Sequence, residues 1–132
     1  VKFAEDYELY LRLAREHESY CHQQMIAEYR IHDANMSADL SGMLGGVLGT
    51  LEEQKPWVKH DRELRRALRT GRRKARESYD GTRRLGDLSR HARGGRYLRA
   101  SVCAATLLAL YPRMFLPILV SRMKRSVASL TA

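Results

Sequence analysis

The amino-acid sequence predicts a mainly α-helical fold. Apolar residues recur every three or four positions through most of the 132 residues, which is the period of an α-helix. Prolines and glycines divide this pattern into segments of helical length. Only residues 24–31 alternate between apolar and polar side chains as an extended strand does. We therefore expect a bundle or hairpin of helices with little sheet.

The first half of the chain contains two predicted helices. Residues 5–17 form the first, with Glu5 and Asp6 in its opening turn, where carboxylates suit the positive end of the helix dipole. Residues 38–54 form the second, capped by Ser37 or Asn35. Four glycines lie in this second helix, and each weakens a helix by roughly 1 kcal/mol relative to alanine. We therefore expect them to serve close packing.

The second half contains four more predicted helices. Pro56 ends the preceding element, and residues 57–79 follow as a strongly basic helix. Gly94-Gly95 form a turn between residues 82–92 and 96–111, which predicts a helical hairpin, and Pro112 starts a last helix that ends near Ser129. Within this region residues 102–120 are apolar except for Thr106 and Arg113. The central Arg113 and two prolines favour two packed helices over a membrane span, and an interfacial role stays open.

The charges are distributed unevenly along the chain. Residues 1–54 carry four basic and ten acidic side chains, whereas residues 55–99 carry sixteen basic and five acidic ones. The basic segment 59–76 has an arginine at every third or fourth position, and three interpretations are open for it. It contacts an anionic membrane surface, it binds nucleic acid, or it is a solvated face. Nucleic acid is the least favoured of these because aromatic side chains for base stacking are sparse there.

Two sequence blocks carry the strongest functional signal. The first is the acidic pair Glu5-Asp6 followed by a helix that reads D-x-x-L-x-L-R-x-A from Asp6 to Ala14. The second, from Tyr29 to Ser37, reads Y-R-x-H-x-x-N-x-S. Taken alone, the acidic pair is explained by helix capping. The two blocks together, in this order and at this spacing, resemble the end of the catalytic domain of family 2 glycosyltransferases.

This resemblance implies a role for four residues. Asp6 would be the catalytic base that accepts the proton of the acceptor hydroxyl, with Glu5 as its catalytic neighbour. His32 and Arg30 would lie near the diphosphate of the donor, and His32 would also contact the bound metal. The cofactor of the whole enzyme would be a divalent metal, Mg or Mn.

The resemblance also refines the predicted architecture and partners. Residues 1–37 would be the C-terminal remnant of a GT-A α/β catalytic domain, and residues 38–132 a helical bundle or hairpin extension. The substrates would be a nucleotide-diphosphate sugar and a saccharide or lipid-linked acceptor, transferred with inversion at the anomeric carbon. We expect a cytoplasmic protein with reduced cysteines, and peripheral attachment at the inner face of the membrane is an open alternative.

One departure from the family limits this expectation. The family also needs an upstream Asp-x-Asp motif and a nucleotide-binding half, and no Asp-x-Asp occurs in these 132 residues. We therefore expect the chain to be the C-terminal fragment of such an enzyme, to hold no metal by itself and to be inactive in isolation. The alternative is a non-catalytic basic helical module that binds an anionic membrane or nucleic acid.

Overall fold

The computed structural model describes residues 3–20, 23–25, 27–28 and 35–130, and for Met36 and residues 123–130 it describes the backbone alone. It is mainly helical, at 81% helix, with no strand among the described residues. The prediction of a mainly α fold is therefore confirmed. The predicted extended segment 24–31 lies half outside the described residues, and its described positions have irregular backbone.

The α-helices of the described residues follow the apolar pattern of the sequence. In chain order they are α1 (Glu5–Glu16), α2 (Leu40–Glu53), α3 (Lys55–Val58), α4 (Arg62–Arg76), α5 (Thr82–Arg93), α6 (Tyr97–Leu110) and α7 (Pro112–Leu130). A short 3₁₀ helix (Met36–Ala38) precedes α2, and a π-helical segment (Glu77–Gly81) precedes α5.

Side-chain caps explain where two helices begin. Asp39 caps α2, because its Oδ1 accepts hydrogen bonds from the backbone N–H groups of Ser41 at 3.2 Å and Gly42 at 2.9 Å. The prediction of Ser37 or Asn35 as this cap was therefore wrong. The basic helix α4 begins at Arg62 because the Asp61 carboxylate accepts a hydrogen bond from Leu64 N–H at 2.9 Å. The sequence prediction had merged α4 with α3.

The chain divides into two compact units, Val1–Ala75 and Arg76–Ala132, which we call unit 1 and unit 2. The buried apolar residues of unit 1 include Ala4, Val47 and Leu51. The predicted domain boundary between residues 37 and 38 stays a prediction.

In unit 2 the predicted helical hairpin is confirmed. Helices α5 and α6 pack against each other across the Gly94-Gly95 turn, where Gly95 has a positive φ of 68° that glycine adopts without strain. The core centres on Leu107, which is 0% exposed, together with Tyr111 and Phe115. Every helix among the described residues is too short or too polar to cross a bilayer.

Candidate functional site

The acidic pair begins α1, as the sequence predicts. Glu5 and Asp6 are both exposed in its first turn. Asp6 Oδ1 accepts a hydrogen bond from the backbone N–H of Tyr7 at 2.9 Å, which orients the carboxylate. Glu8, one residue further along, lies 3.8 Å from Arg12 in an ion pair one helical turn apart. The two carboxylates of the pair are thus open to a solvent-borne reactant.

A packed anchor precedes the acidic pair. Phe3 lies on the face of α2 that carries Gly42 and Gly46, and a Cβ added at Gly46 would stand 2.5 Å from the Phe3 carbonyl oxygen. A Cβ at Gly42 would stand 2.6 Å from the Phe3 ring. Ala4 follows in the left-handed region at φ 68° and is only 4% exposed. This conformation costs an alanine on the order of 1 kcal/mol, which its burial and the Phe3 contact offset.

The expectation of close packing is therefore borne out at two of the four glycines. Cβ atoms added at Gly45 and Gly49 meet nothing within 4 Å. Gly42 and Gly46 lie four residues apart, so they share one helix face, and Phe3 occupies that face. The chain thus enters α1 from a fixed position on α2, which places Glu5 and Asp6 reproducibly.

Of the second predicted block, Tyr29 to Ser37, only the last three residues are among those that the structure describes. Arg30 and His32 lie outside the described residues, as does Tyr29, so their distance from Asp6 stays a prediction. Among the described residues no group of three or more His, Cys, Asp or Glu side chains is placed to hold a metal ion. Since His32, the predicted metal contact, lies outside the described residues, the divalent metal that the resemblance implies stays a prediction.

Unit 1 contains an apolar cleft of about 530 Å³, and Tyr7, the residue after Asp6, is one of the residues that line it. Its apolar walls come from α1, α2, α3 and α4 and are formed by Tyr7, Leu11, Ala14, Leu51, Trp57, Val58, Leu64, Ala67, Leu68 and Gly71. Two polar side chains, Arg15 and Gln54, also line it. The cleft therefore combines a largely apolar interior with one positive charge.

The charged edge of this cleft is organised by three side chains. The Arg15 guanidinium lies over the Trp57 ring, 4.5 Å from its centroid, which is a cation–π contact. Arg15 Nη1 also donates a hydrogen bond to Gln54 Oε1 at 3.3 Å. Gln54 is buried, and its Nε2 donates to the Thr50 carbonyl at 3.3 Å. These contacts hold the Arg15 guanidinium at the edge of the apolar walls.

Helix α4 carries the cationic face that the sequence predicts. Arg62, Arg66 and Arg69 are exposed and line a groove of about 390 Å³ with Glu63. On the side toward α2, Arg72 pairs with Glu52, which also pairs with Lys55. Hydrogen bonds from Lys55 and Arg72 lower the pKa of Glu52. Arg72 of the basic helix is thus paired within unit 1, whereas the three arginines that line the groove are exposed.

In unit 2 the π-helical segment presents a partly buried ionic cluster. Asp80 Oδ2 accepts hydrogen bonds from Arg84 Nε at 2.6 Å and from the Tyr111 hydroxyl at 2.7 Å. Its Oδ1 accepts one from Arg83 Nη2 at 2.7 Å. Burial works to raise the pKa of Asp80, but these hydrogen bonds outweigh it and lower the pKa to about 2. Burial and the bond to Asp80 raise the pKa of Tyr111. The cluster ties the π-helical segment to the turn between α6 and α7.

Neither the cluster around Asp80 nor the contact between Arg15 and Trp57 was predicted from the sequence. Asp80 stands three and four residues before Arg83 and Arg84, the spacing of a helical ion pair, which was a readable signal. The meeting of Arg15 with Trp57 had no such signal, because 42 positions of chain separate them.

No protein-family model, curated protein or solved structure matches this chain.

Proposed function

We propose that this chain is the C-terminal part of an inverting family 2 glycosyltransferase with a GT-A-like catalytic domain. Asp6 is its catalytic base, and Glu5 is the neighbouring carboxylate beside the acceptor. Arg30 and His32 lie near the donor diphosphate. The remaining part of the catalytic domain, with the Asp-x-Asp motif, would be encoded upstream of Val1.

The observation that carries this proposal is the setting of the acidic pair. Both carboxylates are exposed at the positive end of α1, and the preceding residues are packed on α2 through Phe3. A base for glycosyl transfer must be accessible to a hydroxyl and held in place, because misplacement by about 1 Å costs on the order of 100-fold in rate. Asp6 is accessible because it is exposed, and the packing of Phe3 on α2 holds its helix in place.

The outward face of α1 also supports the proposal. Leu9, Tyr10 and Leu13 are exposed, although Tyr7 and Leu11 already line the cleft on the other side. A helix with apolar side chains on both sides is suited to a position between two layers of a larger domain.

The proposed chemistry at Asp6 is a single displacement. The acceptor oxygen attacks the anomeric carbon while the bond from that carbon to the diphosphate oxygen breaks, and its electron pair leaves with the nucleoside diphosphate. The hydroxyl proton passes to Asp6, whose Oδ1 is oriented by Tyr7 N–H. The nucleotide-binding part with its Asp-x-Asp motif would hold the divalent metal in this proposal, and His32 would contact it.

The test is Asp6→Asn in the longer protein, with a panel of nucleotide-diphosphate sugars and release of nucleoside diphosphate as the readout. Loss of a general base lowers turnover by about 10²–10⁴-fold, and donor binding should be nearly unchanged. Glu8→Gln is the matched control, because it removes a carboxylate from the same turn, which the proposal does not place in the machinery.

Two outcomes would contradict the proposal. Equal losses of turnover and donor binding in Asp6→Asn would assign that carboxylate a structural role. A gene without a strand-rich, Asp-x-Asp-bearing region upstream of Val1 would remove the enzymatic proposal for this chain.

The exposed groove on α4 favours a second candidate, a non-catalytic basic module that binds an anionic surface or nucleic acid. Phosphate contacts by Arg62, Arg66 and Arg69 would release counterions, so binding to a DNA or RNA duplex would weaken steeply with salt. An Arg66→Gln/Arg69→Gln variant should then reduce both the affinity and the slope of its logarithm against that of the salt concentration. Binding that is undetectable at low salt would remove the nucleic-acid form of this candidate.

A further inference from the structure

Helix α6 in unit 2 is apolar on opposite sides. One side packs into the core through Ala100 and Leu107, both of which are buried. The opposite side carries Leu98, Val102, Ala105 and Ala109, which recur at intervals of three or four residues and are exposed. We call these four residues the outer stripe.

The exposure of the outer stripe is large. Leu98 is 82% exposed and Val102 is 60% exposed, although both are aliphatic and lie in regular helix. Helices α6 and α7 carry further exposed apolar side chains: Tyr97, Leu108, Leu110, Leu116, Leu119 and Val120. Exposed apolar residues that are scattered singly need no explanation, but those of the outer stripe recur along one helix face. Such a contiguous apolar surface marks an interaction site.

The charged residues of α6 and α7 are all basic. Beyond Asp87 the sequence contains eight basic residues and no acidic one. Arg96 immediately precedes α6 and Arg99 lies in its first turn, on either side of Leu98 along the chain, and both are exposed. The partner of this surface must therefore offer apolar contact together with negative charge.

This charge distribution argues against a second copy of the chain as the occupant. In a two-fold contact the outer stripe would meet itself, and Arg96 and Arg99 would find no acidic partner on α6 or α7 of the second copy. An anionic phospholipid surface provides both complements, because acyl chains accept the aliphatic side chains and phosphates accept the guanidinium groups. Long arginine side chains reach the headgroups while their stems lie along apolar surface.

Helix α4 is less suited to this role despite its greater charge. Its apolar side chains Leu64, Ala67 and Leu68 line the cleft of unit 1. An interfacial helix needs an apolar face to insert as well as cations to attract, and α6 presents both.

We propose that the outer stripe of α6, with Arg96 and Arg99 beside it, is a docking surface for an anionic phospholipid membrane, on which α6 lies in the plane of the interface. The proposal does not rest on the glycosyltransferase assignment, since it uses only unit 2.

The test is flotation of the chain with phosphatidylcholine vesicles that contain or lack phosphatidylglycerol. The wild-type chain should float with the anionic vesicles and much less with the neutral ones. A Leu98→Asp/Val102→Asp variant should lower the vesicle partition coefficient on the order of tenfold or more, because it removes apolar contact and adds two negative charges. Arg96→Gln and Arg99→Gln should each lower it about fivefold on anionic vesicles.

The matched control is Leu9→Asp/Leu13→Asp on α1. This pair is also exposed, has the same spacing of four residues and makes the same change of charge. The control should float like the wild type. Circular dichroism of each variant checks that the helices are retained, and the outer-stripe variant should fold because both side chains are exposed.

Three outcomes would overturn the proposal. They are equal flotation with neutral and anionic vesicles, flotation of the outer-stripe variant at the wild-type level, and failure of the wild-type chain to float at all. If the chain fails to float but is dimeric, and the outer-stripe variant is a monomer, then a second copy covers the stripe.

Discussion

The contact between Phe3 and α2 can be tested by adding one methyl group at Gly46. The nearest atom to the new Cβ would be the Phe3 carbonyl oxygen at 2.5 Å. That atom belongs to the backbone, so it has no rotamer by which to move away. Gly46→Ala should therefore displace Phe3 and Ala4 from α2.

The expected change in the free energy of unfolding is the sum of two effects. Replacing a helical glycine by alanine favours the folded state by about 1 kcal/mol. Exposing a phenylalanine that is mostly buried costs about 1.5–3 kcal/mol. Gly46→Ala should therefore destabilise unit 1 by about 0.5–2 kcal/mol. Gly45→Ala, whose methyl group meets nothing within 4 Å, should stabilise it by about 1 kcal/mol.

Urea titration followed by circular dichroism measures these differences, and hydrogen exchange shows whether they fall on α1 and α2. The two variants differ only in which face of α2 receives the methyl group, so helix propensity cancels between them. If Gly46→Ala stabilised the protein as much as Gly45→Ala does, Phe3 would not be packed on α2 in solution. Under the proposed glycosyltransferase function, Gly46→Ala in the longer protein should also lower turnover, because the acidic pair would lose its anchor.

Two further predictions concern the partly buried Asp80 and the buried Thr50. In unit 2 the pKa of Asp80 is about 2 in the folded state against a usual 3.8, so its ionised carboxylate stabilises the fold above pH 4, and this contribution is lost as the pH falls through about 2. Asp80→Asn should cost about 2 kcal/mol at neutral pH and remove that acid dependence, as measured by urea unfolding at several pH values. In unit 1 the Thr50 hydroxyl is buried without a hydrogen-bond partner among the described residues. Thr50→Val should therefore stabilise unit 1 by about 1 kcal/mol in the same assay, whereas Thr50→Ala should destabilise it because it leaves a cavity.

The helices of this protein could be predicted from the sequence because their signals are local. The apolar period, the Gly94-Gly95 turn and Pro112 each act within one helical turn, and the observed helices follow them. The errors lie where two local signals compete. Asp39 and Asn35 both suit a cap, and the choice depends on which residue reaches the free N–H groups of α2.

The candidate site was predictable only in part. The position of Glu5 and Asp6 at a helix start follows from neighbouring residues. The contact of Phe3 with α2 does not follow from neighbouring residues, because Phe3 and Gly42 lie about 40 positions apart in the chain. The glycines of α2 indicate that something packs closely there, but they do not identify it. The cleft beside Arg15 depends in the same way on how four helices meet.

The stacking of Arg15 on Trp57 gives this protein a built-in optical reporter. Trp57 is the single tryptophan of the chain and lies in unit 1. Its emission therefore follows the melting of that unit alone, whereas tyrosine signals include Tyr111 of unit 2. Recording tryptophan and tyrosine fluorescence during one denaturation would show directly whether the two units unfold together or one after the other.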